Sequence, residues 1–340
     1  MLTKNKPREL SIGLIRCIAM CMIILCHFLQ YYQNELAFWF NVGVQIFFAV
    51  SGFLYGRKQI DDDIGFIAKN FKKILLNYYI FLLAAVPIYI AFARNNIDIK
   101  NIPFVLIAYS TIKGIGHLWF IAYILLCYII TPLLSRFSQK ICECSNRSFL
   151  FVLICVVFVF QIICFTYVNF FIAAWVLCYV LSFLISKRLT DSKLKLKTIL
   201  MWLIPLCFFA IIYRILFEYF FIFSFTGFKK MIFDTTLQYS QAILGLTLFF
   251  SLYAFFSKIN INKFNFIKKI VSFSDKYSYD IYITHQIFIL GPFGIMTLFP
   301  NNYLNVFFAL ILIFLSGYLL NVLGNFVEKF TSRIFKTATD

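Results

Sequence analysis

Charged residues are scarce in this chain: they make up 13% of its 340 residues, while 62% are hydrophobic. A soluble domain has about a quarter charged residues and about half apolar ones. Apolar runs of about eighteen residues or more, the length that crosses a bilayer, recur along the whole sequence. The scarcity of charge therefore excludes an ordinary soluble protein and predicts an all-α, polytopic integral membrane bundle.

Acidic residues are fewer still, with 14 Asp and Glu against 31 Lys and Arg, for a formal net charge of +17. Such an excess of positive charge can indicate a nucleic-acid-binding protein, but in a membrane protein Lys and Arg gather in cytoplasmic loops. With the N-terminus inside, 24 of the 31 basic residues fall in cytoplasmic segments and five in outer ones. This asymmetry predicts that both termini are cytoplasmic and that no nucleic-acid partner is needed.

Histidine is rare and cysteine is scattered. The chain has three histidines and ten cysteines, and most of the cysteines lie within apolar runs. Only Cys142 and Cys144 share a loop, and no histidine lies near that pair, so we predict no metal site. The pattern does not favour a disulfide framework, and small polarizable packing residues are the simpler interpretation.

The chain also lacks a small-x-small cleavage motif after its first apolar stretch, which is too long for the core of a signal peptide. We therefore expect this stretch to remain as a signal anchor.

The sequence shows neither an internal repeat nor a long linker, so we predict one domain over 1–340. A short apolar segment at 102–112 is better suited to a re-entrant or interfacial position than to a crossing. Ten spans are predicted, at 10–32, 38–56, 74–93, 117–135, 149–166, 170–186, 199–221, 236–257, 278–298 and 303–325.

The first predicted span, with "GLIRCIAMCMIILCHFL" at 13–29, holds an arginine and a histidine among apolar side chains. Eleven residues, close to three helical turns, separate Arg16 from His27, so both share one face about 16 Å apart along the axis. A buried arginine is costly unless it faces a cavity, a polar partner or an anion. Arg16 could instead snorkel to the headgroups, and His27 could bond a neighbouring helix. Their common face favours one polar channel, with an anion at its inner end and proton chemistry further out.

The other two histidines also lie at or in predicted spans, His117 in "HLWFIAYILLCYIITP" and His285 in "SYDIYITH". His117 and Trp119, near the outer face, are candidates for contact with a sugar ring, although Trp is also an ordinary interface residue. His285 is a candidate to line the same cavity. In "GVQIFFAVSGFL", Ser51 could donate a hydrogen bond to a ligand, or the small residues could simply allow close helix packing.

These four motifs, in this order, resemble the membrane-bound acyltransferase family 3, which includes O-acetyltransferases of bacterial surface polysaccharides. The resemblance runs from Arg16 to the tenth span. It implies a ten-helix bundle in the bacterial plasma membrane that transfers an acyl group, usually acetyl from acetyl-CoA, to a hydroxyl of a glycan or lipid-linked sugar. Arg16 and His27 match the family's arginine and catalytic histidine, and Ser51 begins its Ser-Gly-Phe triplet.

The basic stretch after the second span, "KNFKKILLNYY", departs from the family pattern of two arginines and a proline. Asn70 stands where the first arginine is expected, Lys73 replaces the second, and the proline is missing. Lys69, Lys72 and Lys73 are then the candidates to bind the CoA phosphates, as point charges without the bidentate fork of arginine. Asp280 also stands where the family commonly has a small residue.

The main rival class is a transporter or flippase of a polysaccharide or lipid-linked sugar, which would also be polytopic, aromatic-rich and basic inside. Transporters often carry paired repeats with discontinuous helices, and no such pairing is visible. A structural membrane protein would leave Arg16 and His27 without a role. We therefore predict an O-acyltransferase with acyl-CoA as co-substrate and no metal, in which His27 is the general base or, in a competing version, carries the acyl group.

Overall fold

The structure of the protein, a computed structural model, is helical in every regular element that it describes. The described residues are 10–96, 99–108, 112–141, 143–167, 173–216, 226–259 and 265–337. In these ranges the α-helices are α1 (Leu10–Tyr31), α2 (Ala37–Phe40), α3 (Gly43–Gly56), α4 (Asp63–Phe92), α5 (Ile102–Leu106), α6 (Trp119–Ile141), α7 (Asn146–Tyr167), α8 (Ala173–Thr190), α9 (Leu196–Ile215), α10 (Gly227–Phe256), α11 (Asn265–Ile289) and α12 (Asn302–Thr337).

Eight segments of the described chain are long and apolar enough to cross a membrane, which confirms a polytopic helical membrane protein. They coincide with eight of the ten predicted spans. The other two predicted spans, 170–186 and 278–298, overlap α8 and α11, which are not among the eight. The count of ten and the cytoplasmic position of both termini stay predictions.

Two local interruptions agree with the sequence. Helix α11 ends at Ile289, with only Leu290 between its end and "GPFG" at 291–294, because a proline removes a backbone donor and clashes with the preceding turn. The predicted short segment at 102–112 contains α5, which has five residues and is too short to cross a bilayer. Residues 109–111 of that segment lie outside the described residues.

The helices form two compact units. The first comprises 1–23, 41–61 and 129–272, and the second comprises 24–40, 62–128 and 273–340. That the whole chain acts as one domain stays a prediction.

Close packing of α3 against α8 organises the first unit. A Cβ on Gly52 would collide with the backbone of α8, so only glycine allows this approach. Two serine hydroxyls of α8 then bond carbonyls of α3: Ser182 donates to Ala49 at 2.8 Å and Ser186 donates to Phe53 at 2.6 Å. The glycine of the Ser-Gly-Phe triplet therefore has a packing role.

A buried carboxylate ties α4, α11 and α12 together in the second unit. Asp280 is 2% exposed, and its two oxygens accept hydrogen bonds from Asn77 at 2.5 Å and Asn321 at 2.7 Å. Gly324 lies so close to Asn77 that a Cβ there would collide with the amide. The carboxylate that departs from the family pattern is thus matched by two amides of neighbouring helices, which explains how it is tolerated inside the protein.

Candidate active site

His27 is oriented by a hydrogen bond within its own helix. Its Nδ1 lies 2.7 Å from Oε1 of Gln30, three residues later on α1, and residues at this spacing face each other on a helix. Because an amide oxygen accepts hydrogen bonds, this contact favours the tautomer with the proton on Nδ1 and the lone pair on Nε2. The side chain is half-buried. A neutral imidazole in this tautomer is able to take a proton at Nε2.

All three histidines of the chain lie together in the second unit. The ring centroids are 4.9 Å apart for His27 and His285, 4.6 Å apart for His117 and His285, and 6.3 Å apart for His27 and His117. The rings come from α1, from the 3₁₀ turn Gly116–Leu118 that precedes α6, and from α11. We call this group the histidine cluster.

His117 is bonded on every side within the protein. Its Nε2 donates to the carbonyl of Tyr282 at 2.7 Å and lies 3.1 Å from that of Ile283. Its Nδ1 is 2.8 Å from Gln286 Oε1, and its own carbonyl accepts from the Tyr282 hydroxyl at 2.5 Å. These hydrogen bonds hold the start of α6 against α11. A contact between His117 and a sugar stays a prediction, and both ring nitrogens already have protein partners.

His285 is arranged differently. Its Nδ1 donates to the carbonyl of Tyr282 at 2.7 Å, so this ring also keeps its lone pair on Nε2. The residue is fully buried, and among the described residues that Nε2 has no hydrogen-bond partner. The cluster therefore holds two imidazoles of the same tautomer, His27 and His285, each with an unprotonated Nε2.

The cluster suits proton chemistry better than metal binding. The rings contact one another tilted or edge to face, at interplanar angles of 37°, 67° and 70°. In the part of the chain that the structure describes, no three His, Cys, Asp or Glu side chains are placed to hold one metal ion. What the arrangement offers is a base at His27, packed against other imidazoles.

Arg16 and His27 do share one helix, because α1 is unbroken from Leu10 to Tyr31. Helix geometry separates the two positions by about 16 Å along the axis and places them on one face. Arg16 is half-buried in the first unit, and His27 belongs to the second. The role of Arg16 toward a donor stays a prediction.

The basic stretch lies on the first part of α4, where Lys69, Lys72 and Lys73 are all exposed. The Nζ of Lys72 is 3.6 Å from the Glu328 carboxylate, an exposed ion pair of the kind that contributes little to stability. Asn70, at the family's first arginine position, is buried and donates to a carbonyl of its own helix at 2.7 Å. Phosphate binding by the three lysines stays a prediction.

The structure gives the burial and surroundings of Ser51 and Trp119, the two other residues predicted to contact a ligand. Ser51 is half-buried on α3 in the first unit. Trp119 is half-buried at the start of α6, with its ring 6.5 Å from Phe120 and 5.8 Å from Tyr123. Their proposed hydrogen bond and sugar contact stay predictions.

Sequence reasoning missed the polar residues that orient the cluster, namely Gln30, Tyr282 and Gln286. Two of them carried a signal. Gln30 follows His27 by three residues, and Tyr282 precedes His285 by three, which is the spacing of facing positions on a helix. Gln286 carried none, because its partner His117 lies far away in the sequence.

Comparison with known proteins agrees with the motifs. The model of an acyltransferase domain, that of acyltransferase family 3, matches residues 9–327. No curated protein and no solved structure matches the chain. The matched region includes Arg16, the whole histidine cluster and α11. The chain therefore belongs to acyltransferase family 3, and it is a multi-pass membrane acyltransferase that transfers groups other than aminoacyl groups.

Proposed function

We propose that the protein is an O-acyltransferase of the bacterial plasma membrane. It moves an acetyl group, or a related acyl group such as succinyl, from acyl-CoA to a hydroxyl of a surface polysaccharide or lipid-linked sugar. The observation that carries the proposal is the 2.7 Å contact between His27 Nδ1 and the Gln30 amide oxygen, which favours a proton on Nδ1 and leaves the Nε2 lone pair for catalysis.

His27 acts as the general base in this reaction. Its Nε2 takes the proton of the acceptor hydroxyl while the alcohol oxygen forms a bond to the thioester carbonyl carbon. The carbon–sulfur bond then breaks, and the thiolate of CoA takes the proton back from His27. An alcohol is a poor nucleophile until it loses its proton, and an imidazole has a suitable affinity for protons near neutral pH.

In the competing version the Nε2 lone pair of His27 attacks the thioester itself and carries the acyl group to the alcohol. Both versions need the same tautomer, because Nε2 must be unprotonated in each. Single-turnover mass spectrometry of the protein separates them, since an acyl-histidine adds the mass of the acyl group to the peptide that contains His27.

Arg16 orients the acyl-CoA donor, and Lys69, Lys72 and Lys73 supply positive charge for its phosphates. A guanidinium inside a span is retained where it has an anionic or polar partner, and lysines attract phosphate as point charges. The exposure of all three lysines on α4 supports this assignment. Ser51 donates a hydrogen bond to the donor.

Residues near the histidine cluster contact the acceptor sugar. His285 lines the space beside His27, and Trp119 offers a flat apolar face for a sugar ring. His117 contributes indirectly, because its nitrogens bond to α11 and thereby set the position of His285. The surrounding lipid solvates the exposed apolar side chains of the spans.

An acyl-transfer assay distinguishes this function from sugar transport, because a transporter would not move the acyl group to itself or to an alcohol. The purified protein is incubated with labelled acetyl-CoA, and release of thiol and formation of acetyl ester are measured. We expect His27→Ala to lower both by about 10²–10⁴-fold, the usual contribution of a general base. Cys21→Ala is the matched control, because this side chain is on the same helix and exposed.

If the wild-type protein neither releases thiol nor forms ester, while it moves a lipid-linked sugar across vesicles, the transporter class is correct. The natural acceptor is found by comparing the surface glycans of cells with and without this gene. A mass difference of one acyl group and the matching proton NMR signal identify the hydroxyl that is modified.

A further inference from the structure

Three helix ends that the charge distribution predicts to be cytoplasmic meet at one polar pocket in the first unit. The pocket has a volume of about 150 Å³. It lies between the end of α3, the last turns of α6 and the last turns of α8, and we call it the α3–α6–α8 pocket. Its polar lining consists of Lys58, Gln59, Ser135, Ser138, Gln139 and Lys187.

The pocket is a consequence of small residues. Gly56 lies against the backbone of α8 so closely that a Cβ would collide with the Phe183 carbonyl, which brings the end of α3 onto α8. On the facing helix, Ser135 and Ser138 are 6% and 3% exposed, and their short side chains leave the space open. The Ser138 hydroxyl donates to the Ser135 carbonyl at 2.8 Å. A larger residue at either serine would fill the pocket.

Two lysines, Lys58 after α3 and Lys187 on α8, bring positive charge to the lining of this small space. The Nζ of Lys58 lies 4.7 Å from the centre of the Tyr55 ring, and Lys187 pairs with Asp191 at 3.9 Å. The latter is a half-exposed pair with the i,i+4 spacing, which contributes only a few tenths of a kcal/mol. The lysine ammonium groups, the Ser135 hydroxyl and the glutamine amides can all donate to one anion. This lining is suited to a phosphate and unsuited to a cation or an apolar chain.

We propose that the α3–α6–α8 pocket binds a phosphate group. The pocket volume of about 150 Å³ accommodates one phosphate group. Under the proposed function, on which this part rests, the phosphate is the 3′-phosphate of the acyl-CoA donor, the single terminal phosphate of that molecule.

The experiment compares the binding of CoA with that of dephospho-CoA, the analogue that lacks the terminal 3′-phosphate. Equilibrium binding of CoA and of dephospho-CoA is measured on the purified full-length protein, on Lys58→Met/Lys187→Met and on Lys140→Met. We expect the double variant to weaken CoA binding by about tenfold and to leave dephospho-CoA binding unchanged, so that both ligands bind alike. Lys140→Met removes a cation from α6 that does not line the pocket, and we expect it to preserve the discrimination.

Phosphate on a lipid is the other source of this chemistry, so a second arm compares phosphatidic acid with diacylglycerol in mixed micelles. The readout is the thermal unfolding midpoint of the same three proteins. If only phosphatidic acid stabilises the protein in a lysine-dependent way, the pocket is a phosphate site and its assignment to CoA is overturned. If neither pair of ligands discriminates through the lysines, the phosphate site itself is overturned.

A folding defect is excluded with Ser135→Leu, which fills the pocket and leaves both lysines in place. We expect it to lose the preference for CoA over dephospho-CoA while its far-UV spectrum and gel-filtration profile stay unchanged. Retained preference with a filled pocket overturns the proposal. Since binding needs no turnover, an inactive wild-type protein that still prefers CoA refutes the proposed transfer reaction and leaves the pocket assignment standing.

Discussion

The imidazole rings of His27 and His285 lie 4.9 Å apart between centroids and are tilted by 37°. Each ring donates its Nδ1–H to an oxygen of its own helix, His27 to Gln30 and His285 to Tyr282, both at 2.7 Å. Two unprotonated Nε2 atoms are therefore brought into one cluster. Only the His27 side chain is partly exposed, whereas His285 is fully buried, so His27 is the ring that substrate can reach.

The tautomers can be observed directly, because the chain has only three histidines. In protein labelled with ¹⁵N-histidine, we expect His27 and His285 to show a protonated Nδ1 and an unprotonated Nε2, and His117 to show a protonated Nε2. Each signal is assigned by replacing one histidine at a time. A protonated Nε2 on His27 at neutral pH would contradict the proposed base.

Replacing Gln30 tests whether its amide oxygen sets the tautomer of His27. We expect Gln30→Leu to lower acyl transfer by about tenfold, because one orienting hydrogen bond to the base is lost. Gln30→Glu keeps an acceptor oxygen at the same distance and should retain most of the activity. Equal losses in both variants would show that the side chain acts through packing and has no part in orienting the base.

His117→Leu is expected to destabilise the protein by about 2–4 kcal/mol. The substitution removes the imidazole hydrogen bonds to the carbonyls of Tyr282 and Ile283 and to the amide oxygen of Gln286, and a leucine cannot replace them. The thermal unfolding midpoint in detergent should fall accordingly. An unchanged midpoint with lost acyl transfer would instead give His117 a direct role in binding or chemistry.

Arg188→Lys is expected to lower stability by about 1–3 kcal/mol. The guanidinium is 3% exposed and donates to the carbonyls of Ile141 and Cys144 and to the side chain of Asn146, at 2.9–3.2 Å. A lysine offers no planar fork, so it cannot reach all three oxygens between the end of α6 and the start of α7. Lys193→Met is the control, since it removes an exposed charge from the loop that follows α8. Equal unfolding midpoints for the two variants would contradict the prediction.

Gly52→Ala is expected to destabilise the first unit by about 1–3 kcal/mol, since the added methyl forces α3 away from α8. The matched control is Gly116→Ala, where the nearest atom to an added Cβ is the Gln286 Oε1 at 4.0 Å. Its unfolding midpoint should stay close to that of the wild type. If both variants unfold at the wild-type temperature, close packing of α3 on α8 does not limit stability.

Much of the secondary structure follows from the sequence, because apolar runs and their breaks are local. All ten predicted spans overlap helices, and α11 ends where "GPFG" predicts a break. The shared face of Arg16 and His27 also follows from spacing alone, since it depends only on an unbroken α1. Helix α11, which is not among the eight apolar segments, carries more polar residues. Many of the α8 residues are buried inside the protein instead of facing lipid.

The site itself was only half predictable. The sequence singled out His27, His117 and His285 but could not show that their rings touch, because each lies in a different part of the chain. Nor could it explain Asp280, whose amide partners on α4 and α12 are brought to it by packing. Contacts between distant residues are set by which helix faces meet, and an apolar pattern does not specify a partner helix.

The sequence by itself determined that this is a helical membrane protein with a cation and an imidazole on one face of its first span, and its motifs pointed to acyl transfer. Only the tertiary structure decided that three histidines form one cluster, that His27 and His285 keep their Nε2 lone pairs, and that three helix ends enclose a basic pocket. The physical reason is the range of the interactions. Hydrophobicity and helical spacing act between near neighbours, whereas a tautomer or a pocket is fixed by atoms that packing brings together from remote positions.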